Sequence, residues 1–251
     1  MSARATAASL LLVLPFVVAP PLAARAQPSP ATSPATSAPA HGAHGEQPPR
    51  GPHDATARHA FDDVAHWTRV FDDPARDGWQ KPREVVAALA LAPGATVADL
   101  GAGTGYFVPH LAAAVGPGGT VLAADTELAL VGHLRGRAEQ DGLGNVVPIL
   151  ASTDNPRLPA RAADVILIVD TYHHIDDRVA YAGRLGDALA PSGRVAIVDW
   201  QKRDLPLGPP LGHKLAREQV IAEMTRAGYA LVGEPDILPY QYFLIFAVTR
   251  R

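Results

Sequence analysis

The most informative absence in this chain is cysteine, which does not occur among its 251 residues. Without a thiol, the protein cannot form disulfides, thiolate zinc sites or iron–sulfur clusters, and it cannot use a cysteine nucleophile. Basic residues are not in excess either, because 22 lysine and arginine residues stand against 25 acidic ones. Aromatic residues make up only 6% of the chain. A nucleic-acid-binding surface normally combines a basic stripe with aromatic platforms, so we expect no nucleic-acid partner.

The first 26 residues have the pattern of a secretory signal peptide. Arg4 gives a positive start, an apolar stretch follows over residues 10–18, and Ala24-Arg25-Ala26 forms an A-x-A cleavage site. An uncleaved membrane anchor is the alternative, but Pro15 and Pro20-Pro21 interrupt the run well short of the roughly 20 residues that span a bilayer. We therefore predict an exported protein, periplasmic or extracellular, with no stable membrane span after cleavage.

Residues 27–58 are rich in proline, alanine, serine and histidine and show neither helical nor strand periodicity. This composition predicts a disordered linker. His41, His44 and His53 offer imidazole ligands, so loose metal capture is the functional alternative. No carboxylate pattern fixes these rings, and we therefore predict no metal site.

Two helices are predicted before the first strand, within residues 59–92. Apolar residues recur at helical spacing over 61–71, and a second helix begins at Pro82 and runs to Leu91. Several side chains of this segment are candidates for a lid over a ligand site, with an ordinary surface segment as the alternative. These side chains are Trp67, Arg76, Trp79 and Gln80.

The strongest functional pattern in the chain is a glycine-rich turn after a short apolar strand. The strand ends in Asp99-Leu100, and Gly101, Gly103 and Gly105 follow within five residues. Glycines let the backbone fold closely under a ligand, and the helix predicted over 108–115 directs free N–H groups towards it. A structural turn without a ligand is the alternative, but so many glycines weaken any element that they do not serve.

An acidic residue closes the next predicted strand. Asp125 lies 20 residues after Gly105, where a carboxylate can accept both hydroxyls of a ribose. A dinucleotide site usually has the spacing G-x-G-x-x-G, whereas this turn has G-x-G-x-G and places Tyr106 sixth. Asp99 would repel a pyrophosphate but can pair with an ammonium group. These residues therefore suit a nucleoside that carries an amino acid better than a dinucleotide.

The run Val97-Ala98-Asp99-Leu100-Gly101-Ala102-Gly103-Thr104-Gly105 closely resembles the first motif of class I S-adenosylmethionine-dependent methyltransferases. The resemblance covers residues 59–251 and implies one domain that uses S-adenosyl-L-methionine as methyl donor. It implies that Asp99, the three glycines and Asp125 bind this cofactor. It also implies an α/β fold, Rossmann-like and doubly wound, with a mostly parallel seven-stranded sheet and an antiparallel last strand.

The remaining periodicity agrees with this fold. Alternating strands and helices predict parallel strands joined by right-handed crossovers, followed by a last pair without a long helix between them. In the second crossover helix we expect Leu128, Val131, Leu134 and Ala138 to face the core. The predicted strands are 97–100, 120–124, 146–150, 164–170, 194–199, 229–232 and 242–248, and the predicted crossover helices are 108–115, 126–140, about 176–189 and 217–227.

One region departs from the family pattern. Family members often place an acid directly after the third strand, where it contacts the adenine amino group, but this chain has Ala151-Ser152-Thr153-Asp154. Asp154 can supply this contact from further along the chain, and Ser152 with backbone groups is the alternative. Asp170, which closes the fourth predicted strand, is the remaining candidate for cofactor binding.

The candidates for catalysis follow the fourth strand, at the sheet edge where open α/β folds bind ligands. His173 and His174 titrate near neutral pH, so either is a candidate general base, with loop hydrogen bonding or helix capping as the structural alternative. A base is unnecessary where the methyl acceptor is soft or already anionic. The connection 208–214 is a candidate wall of the substrate pocket, with a surface loop as the alternative.

The predicted function is methyl transfer from S-adenosylmethionine to a small-molecule acceptor. The missing cysteines exclude radical methylation that needs a cluster and arsenite-type methylation that relies on protein thiols. An exported, non-enzymatic nucleoside- or metal-binding protein that retains the fold is the alternative, because the cofactor is made in the cytoplasm and its supply outside is not assured. A nucleotide-dependent oxidoreductase is a weaker alternative, disfavoured by the glycine spacing. The sequence predicts no particular oligomeric state.

Overall fold

The computed structural model describes residues 63–249. The predicted signal peptide, the predicted linker and its histidines lie outside these residues. In the described part of the chain, one seven-stranded sheet carries helices on both faces. The strands are β1 (Thr96–Leu100), β2 (Thr120–Asp125), β3 (Val146–Leu150), β4 (Ala163–Val169), β5 (Leu189–Trp200), β6 (Tyr229–Gly233) and β7 (Gln241–Val248). The helices are α1 (Val64–Phe71), α2 (Asp77–Gln80), α3 (Pro82–Ala88), α4 (Val108–Val115), α5 (Leu128–Gln140), α6 (Arg178–Ala188) and α7 (Arg217–Arg226).

The sheet has the order β3-β2-β1-β4-β5-β7-β6. Strands β1 to β5 pair in parallel, whereas β7 lies antiparallel to both β5 and β6. The predicted fold, Rossmann-like with an antiparallel last strand, is thereby confirmed. The strand order reverses between β1 and β4, and ligands of such sheets bind at the carboxyl ends of the strands beside this reversal.

Strand β4 shows why the sheet is a stable base for a site. Ile166, Leu167 and Ile168 are completely buried, and successive residues contribute to apolar cores on opposite faces of the sheet. A strand covered on both faces has a continuous apolar sequence, as predicted for this segment. The carboxyl ends of the central strands are therefore held by packing on both sides.

Helix α5 corrects one predicted core position. Val131, Leu134 and Ala138 are buried as expected, together with Leu130, but Leu128 is 71% exposed. Each residue turns an α-helix by about 100°, so Leu128 lies about 200° from Leu130 on the opposite side of the helix. The buried stripe is thus shifted from the predicted one.

Two predicted boundaries are wrong by several residues. Helix α3 ends at Ala88 instead of Leu91, because Ala90 adopts a left-handed backbone with φ of 49°. Strand β5 begins at Leu189 instead of residue 194 and continues through a proline, a serine and a glycine. A register shift against β4 accommodates this stretch, and a Cβ at Gly193 would lie only 2.7 Å from a backbone oxygen of β4.

Candidate active site at the carboxyl ends of the strands

The glycine-rich turn after β1 has the backbone that its sequence predicts. Gly101, Gly103 and Gly105 have φ values of 76°, 58° and 90°, a region that residues with a Cβ rarely adopt. A Cβ on Gly101 would lie 2.3 Å from Oγ1 of Thr171, and a Cβ on Gly105 would lie 2.8 Å from Leu134. The turn is therefore packed against the segment that follows β4 and against α5.

The carboxylate of Asp125 is bound to this turn. The backbone N–H of Gly103 donates to Asp125 Oδ2 at 2.8 Å, and the N–H of Glu127 donates to Oδ1 at 3.0 Å. Burial raises the pKa of Asp125, while these N–H groups act in the opposite direction. The second contact lies in the backbone directly before α5, which begins at Leu128 and not at the predicted residue 126.

Asp99 is a buried acid beside the same turn, with 3% of its surface exposed. Burial and the neighbouring charge of Asp125 raise its pKa to about 7, although the charge of Arg76 lowers it. Among residues 63–249, no group donates a hydrogen bond to its carboxylate. Asp99 thus lacks the N–H donors that Asp125 has, and the two neighbouring buried acids favour a bound cation.

Asp170, directly after β4, belongs to a closed ring of four polar side chains. Its carboxylate accepts from Nε2 of Gln241 and, at 3.4 Å, from Nη2 of Arg76. Nε2 of Gln80 donates to Gln241 at 2.7 Å, and Arg76 donates to Gln80 at 3.1 and 3.2 Å, which closes the ring. Asp170 has a left-handed backbone with φ of 52°, and burial raises its pKa to about 7. Such strain in a non-glycine residue is found preferentially at functional sites.

The segment 72–80 covers the glycine-rich turn, in the place predicted for a lid. Thr104 Oγ1 donates to Asp72 at 2.7 Å, and the hydroxyl of Tyr106 donates to Asp77. The guanidinium of Arg76 lies 4.3 Å from the centre of the Tyr106 ring. These contacts place the segment against the turn, and its closing on a ligand stays a prediction.

The other two lid candidates pack in different ways. Trp67 stacks on Phe71 of its own helix, with ring centres 5.1 Å apart. Trp79 packs on Trp200 at the end of β5, also at 5.1 Å. Gly208, from the connection predicted as a pocket wall, packs closely on the same Trp200 ring, because a Cβ there would lie 2.6 Å from it. The connection 208–214 therefore contacts the end of β5 through Gly208.

Ser152 and Asp154 form a small turn at the end of β3. The hydroxyl of Ser152 donates to Asp154 at 2.7 Å, and the Asp154 side chain is exposed. The preceding Ala151 donates its N–H to the backbone carbonyl of Asp125 at 2.8 Å, so the turn lies next to Asp125. Its position suits the predicted adenine end of a nucleoside, and that contact stays a prediction.

His173 and His174 lie in a 3-10 turn, Tyr172–His174, three residues beyond Asp170. Nδ1 of His173 lies 2.8 and 3.0 Å from the two carboxylate oxygens of Asp199, the penultimate residue of β5. Asp199 and Gln241 were not among the site residues predicted from the sequence. A signal for Asp199 existed, because it closes an apolar strand in the same way as the other acids of this site.

Two further cavities lie away from these residues. One, of about 340 Å³, is lined by α5 and β3, and the other, of about 490 Å³, is lined by α3 and α4. Neither includes a residue predicted for the site. Among residues 63–249, no cluster of three metal-ligating side chains occurs, and no helix is long and apolar enough to cross a membrane.

The sequence model of a family described as "Methyltransferase domain" matches residues 75–232, which is more than half of the chain. The chain belongs to the class I S-adenosylmethionine-dependent methyltransferases. A crystal structure of a SAM-dependent methyltransferase from Aquifex aeolicus aligns with a TM-score of 0.70 and 26% identity, covering 74% of this chain and 99% of that one. The predicted family is therefore confirmed.

Two curated methyltransferases illustrate the sequence similarity. Nocamycin O-methyltransferase of Saccharothrix syringae is 32% identical over 118 residues, which are 47% of this chain and 40% of that protein. The ubiquinone/menaquinone biosynthesis C-methyltransferase of Ectopseudomonas mendocina is 26% identical over 159 residues, or 63% of this chain and 60% of that protein. The chain thus spans less than two thirds of the length of either relative. The comparisons do not support the non-enzymatic alternative.

Methyltransferases of this family use S-adenosylmethionine, and the described residues fit it. The glycines give the turn a backbone that residues with a Cβ rarely adopt, and Asp125 holds a carboxylate beside it. Buried Asp99 and Asp170 supply negative charge for an amino-acid ammonium and a sulfonium.

Proposed function

We propose that this protein transfers a methyl group from S-adenosylmethionine to a small-molecule acceptor outside the cytoplasm. The observation that carries the proposal is the joint position of the glycine-rich turn, Asp99 and Asp125 at the ends of two neighbouring parallel strands. Strands β1 and β2 pair in register from Thr96 with Thr120 to Leu100 with Ala124, so their acidic ends lie side by side. This arrangement supports binding of a nucleoside linked to a cationic amino acid.

Each candidate residue has a distinct part in the proposed complex. Asp125 accepts the ribose hydroxyls, and the turn at Gly103 lets the ligand approach the backbone. Asp99 and Asp170 balance the positive charges of the amino-acid part. Ser152 and Asp154 lie towards the adenine.

When bound, the cofactor supplies a methyl group that is already electrophilic. The residues of the chain then have three tasks, which are to hold both reactants in line, to exclude water and to accept a proton where the acceptor carries one. The segment 72–80 is suited to excluding water, because it contacts Thr104 and Tyr106 in and directly after the turn and Asp170 at the end of β4.

A small-molecule acceptor is favoured by the charge and by the relatives. The net charge of −3 gives no electrostatic attraction for nucleic acid. Two of the matched relatives are named as a nocamycin O-methyltransferase and a ubiquinone/menaquinone biosynthesis C-methyltransferase. Export is proposed from the pattern of residues 1–26.

The proposal is tested by methyl transfer without a preselected acceptor. The mature protein is incubated with S-adenosylmethionine carrying a deuterated methyl group and with a small-metabolite extract, and labelled products are found by mass spectrometry. Wild type and the surface control Asp236→Asn should label the same product, whereas Asp125→Asn should label it at least about tenfold more slowly, since one ribose contact is weakened. No label above an enzyme-free reaction, or equal label with Asp125→Asn, would contradict the proposal.

A further inference from the structure

A buried pair of acid and imidazole lies beside the proposed cofactor site without taking part in cofactor binding. The side chains of His173 and Asp199 are only 4% and 1% exposed. Besides the imidazole, the Asp199 carboxylate accepts the backbone N–H of His173 at 3.2 Å and that of Trp200 at 2.8 Å. Three donors therefore fix the carboxylate, and the carboxylate fixes the ring.

This geometry selects one form of the imidazole. A carboxylate that contacts Nδ1 holds the proton on that nitrogen, which leaves the lone pair on Nε2. Among residues 63–249, no hydrogen bond is made by Nε2 of His173. Burial lowers the pKa of His173, but the hydrogen bond and charge of Asp199 outweigh it, so the pKa lies above its ordinary value. The ring is thus a stronger base than a free imidazole, with its basic nitrogen unoccupied.

The pair lies next to the acids assigned to the amino-acid part of the cofactor. The backbone N–H of Asp170 donates to the carbonyl of Val198 at 2.9 Å, which places Asp170 beside Asp199, and Arg76 binds Asp170 at 3.4 Å. The charge of Asp170 also raises the pKa of His173. The other charged or titratable groups that face His173 are Arg178, which opposes its protonation, and His174, whose ring centre is 4.1 Å away. The base therefore borders the end of the site where the methyl group would be presented.

A second observation is compatible with an oxygen-bearing ligand at this place. Tyr242 pairs with Asp199 across β5 and β7, and its hydroxyl is buried without a hydrogen-bond partner among residues 63–249. Burial and the charge of Asp199 raise the pKa of Tyr242, so the group remains a donor. Buried donors without a partner are rare because each costs about 1–3 kcal/mol. An oxygen of a bound acceptor would supply the missing partner.

We propose that His173 is the catalytic base of methyl transfer, that Asp199 is its positioning residue, and that the acceptor is a neutral alcohol or phenol. This inference rests on the proposed function. The O–H proton of the acceptor passes to Nε2 of His173 while an oxygen lone pair forms the new C–O bond. The C–S bond of the methyl donor breaks, and its electron pair stays on sulfur. The products are a methyl ether and S-adenosylhomocysteine, and His173 then releases its proton to solvent.

The nature of the acceptor follows from the need for a base. A carboxylate or a thioether carries no proton that must be removed, so a buried base would have no task with such an acceptor. An alcohol or phenol requires one at neutral pH. The imidazole therefore separates acceptors that must lose a proton from those that carry none, and the hydroxyl of Tyr242, which has no partner among residues 63–249, favours an oxygen nucleophile among the former.

The test uses small aromatic compounds that differ in the nucleophile alone. The full mature protein with S-adenosylmethionine is offered 4-methylphenol, 4-methylbenzyl alcohol, 4-methylbenzoate and methyl 4-tolyl sulfide. Wild type should methylate at least one hydroxyl compound and neither of the other two. His173→Gln and Asp199→Asn should lower that rate at least about 100-fold, the usual contribution of a general base, whereas the exposed control Asp236→Asn should not. In wild type the rate should rise with pH as His173 loses its proton, and His173→Gln should lack this rise.

Two readouts independent of turnover separate this inference from the proposed function. Binding of S-adenosylhomocysteine, measured by calorimetry, should be unchanged in His173→Gln and in Asp199→Asn. Nitrogen NMR should find His173 protonated on Nδ1, with a pKa that falls in Asp199→Asn. The inference is overturned if wild type prefers the benzoate or the sulfide, or if it binds cofactor but methylates no hydroxyl compound. It is also overturned if the rate falls in His174→Gln instead of in His173→Gln. A wild type that binds no cofactor overturns the proposed function itself.

Discussion

The backbone N–H of Gly103 donates to the carboxylate of Asp125 at 2.8 Å and thereby joins the turn after β1 to the end of β2. Gly103 follows β1 and Asp125 closes β2, and the parallel pairing of these strands brings their ends to one edge of the sheet. The contact holds the carboxylate against the turn before any ligand arrives. Such preorganisation reduces the entropy that binding would otherwise cost.

Gly101→Ala should destabilise the fold because the new Cβ would lie 2.3 Å from Thr171 and would require a left-handed backbone. We expect the free energy of unfolding to fall by about 2 kcal/mol or more, measured by urea denaturation. Gly132→Ala is the matched control, since Gly132 lies inside α5 with nothing within 4 Å of its Cβ position. It should raise stability by about 0.5–1 kcal/mol. Equal effects of the two changes would show that the Thr171 contact is unimportant.

The buried acids predict an unusual dependence of stability on pH. Burial raises the pKa of Asp99 to about 7 in the folded chain, against 3.8 for an unperturbed aspartate. Between these values the folded chain binds the extra proton, so the free energy of unfolding should fall as pH rises from about 4 to about 7. Asp99→Asn should reduce this fall, and Asp236→Asn should leave it unchanged. Urea denaturation across this range measures it, and an identical slope in Asp99→Asn would contradict the burial argument.

The ring of Arg76, Gln80, Gln241 and Asp170 should hold the segment 72–80 in place. Gln241→Leu removes the partner of the completely buried Gln80 amide and one partner of Asp170. We expect a loss of about 1–3 kcal/mol in stability, together with faster hydrogen exchange in the segment 72–80. Gln140 is exposed, so the control variant Gln140→Leu should alter the free energy of unfolding by less than about 0.5 kcal/mol. Unchanged exchange in the segment would show that the ring does not restrain it.

Export is tested separately by a fusion of residues 1–30 to a reporter that is active only outside the cytoplasm. The positive start, the apolar stretch and the A-x-A site predict an active reporter and a mature chain that begins at Gln27. Replacing Leu11 and Leu12 with arginine should abolish the activity, because charges interrupt the apolar stretch. A reporter that is inactive with the natural sequence would reverse the proposed localisation.

Much of the fold could be predicted because local patterns and tertiary packing agree. Strand β3 and helix α4 have the predicted bounds, and the apolar run of β4 fits a strand covered on both faces. The strand β5 could not be delimited, since a proline, a serine and a glycine normally end an element. In this protein the three residues form a bulge opposite Ala163, and this bulge depends on the pairing of β5 with β4.

The candidate site was predictable where one segment carries the signal. The glycine-rich turn and its acids lie within a single β-α-β unit, so their spacing in the sequence reflects their arrangement in space. Asp199 and Gln241 were missed because their partners, His173 and Gln80, lie 26 and 161 residues away. Only the order of the strands brings such residues together.

The most direct test of the central claim is a calorimetric titration of the mature protein with S-adenosylmethionine and S-adenosylhomocysteine. Both compounds should bind to wild type and to Asp236→Asn, whereas Asp125→Asn and Asp99→Asn should weaken binding by about tenfold or more, as expected for loss of a hydrogen bond to a charged group. Wild type that binds neither compound, or unchanged affinity in both site variants, would contradict it.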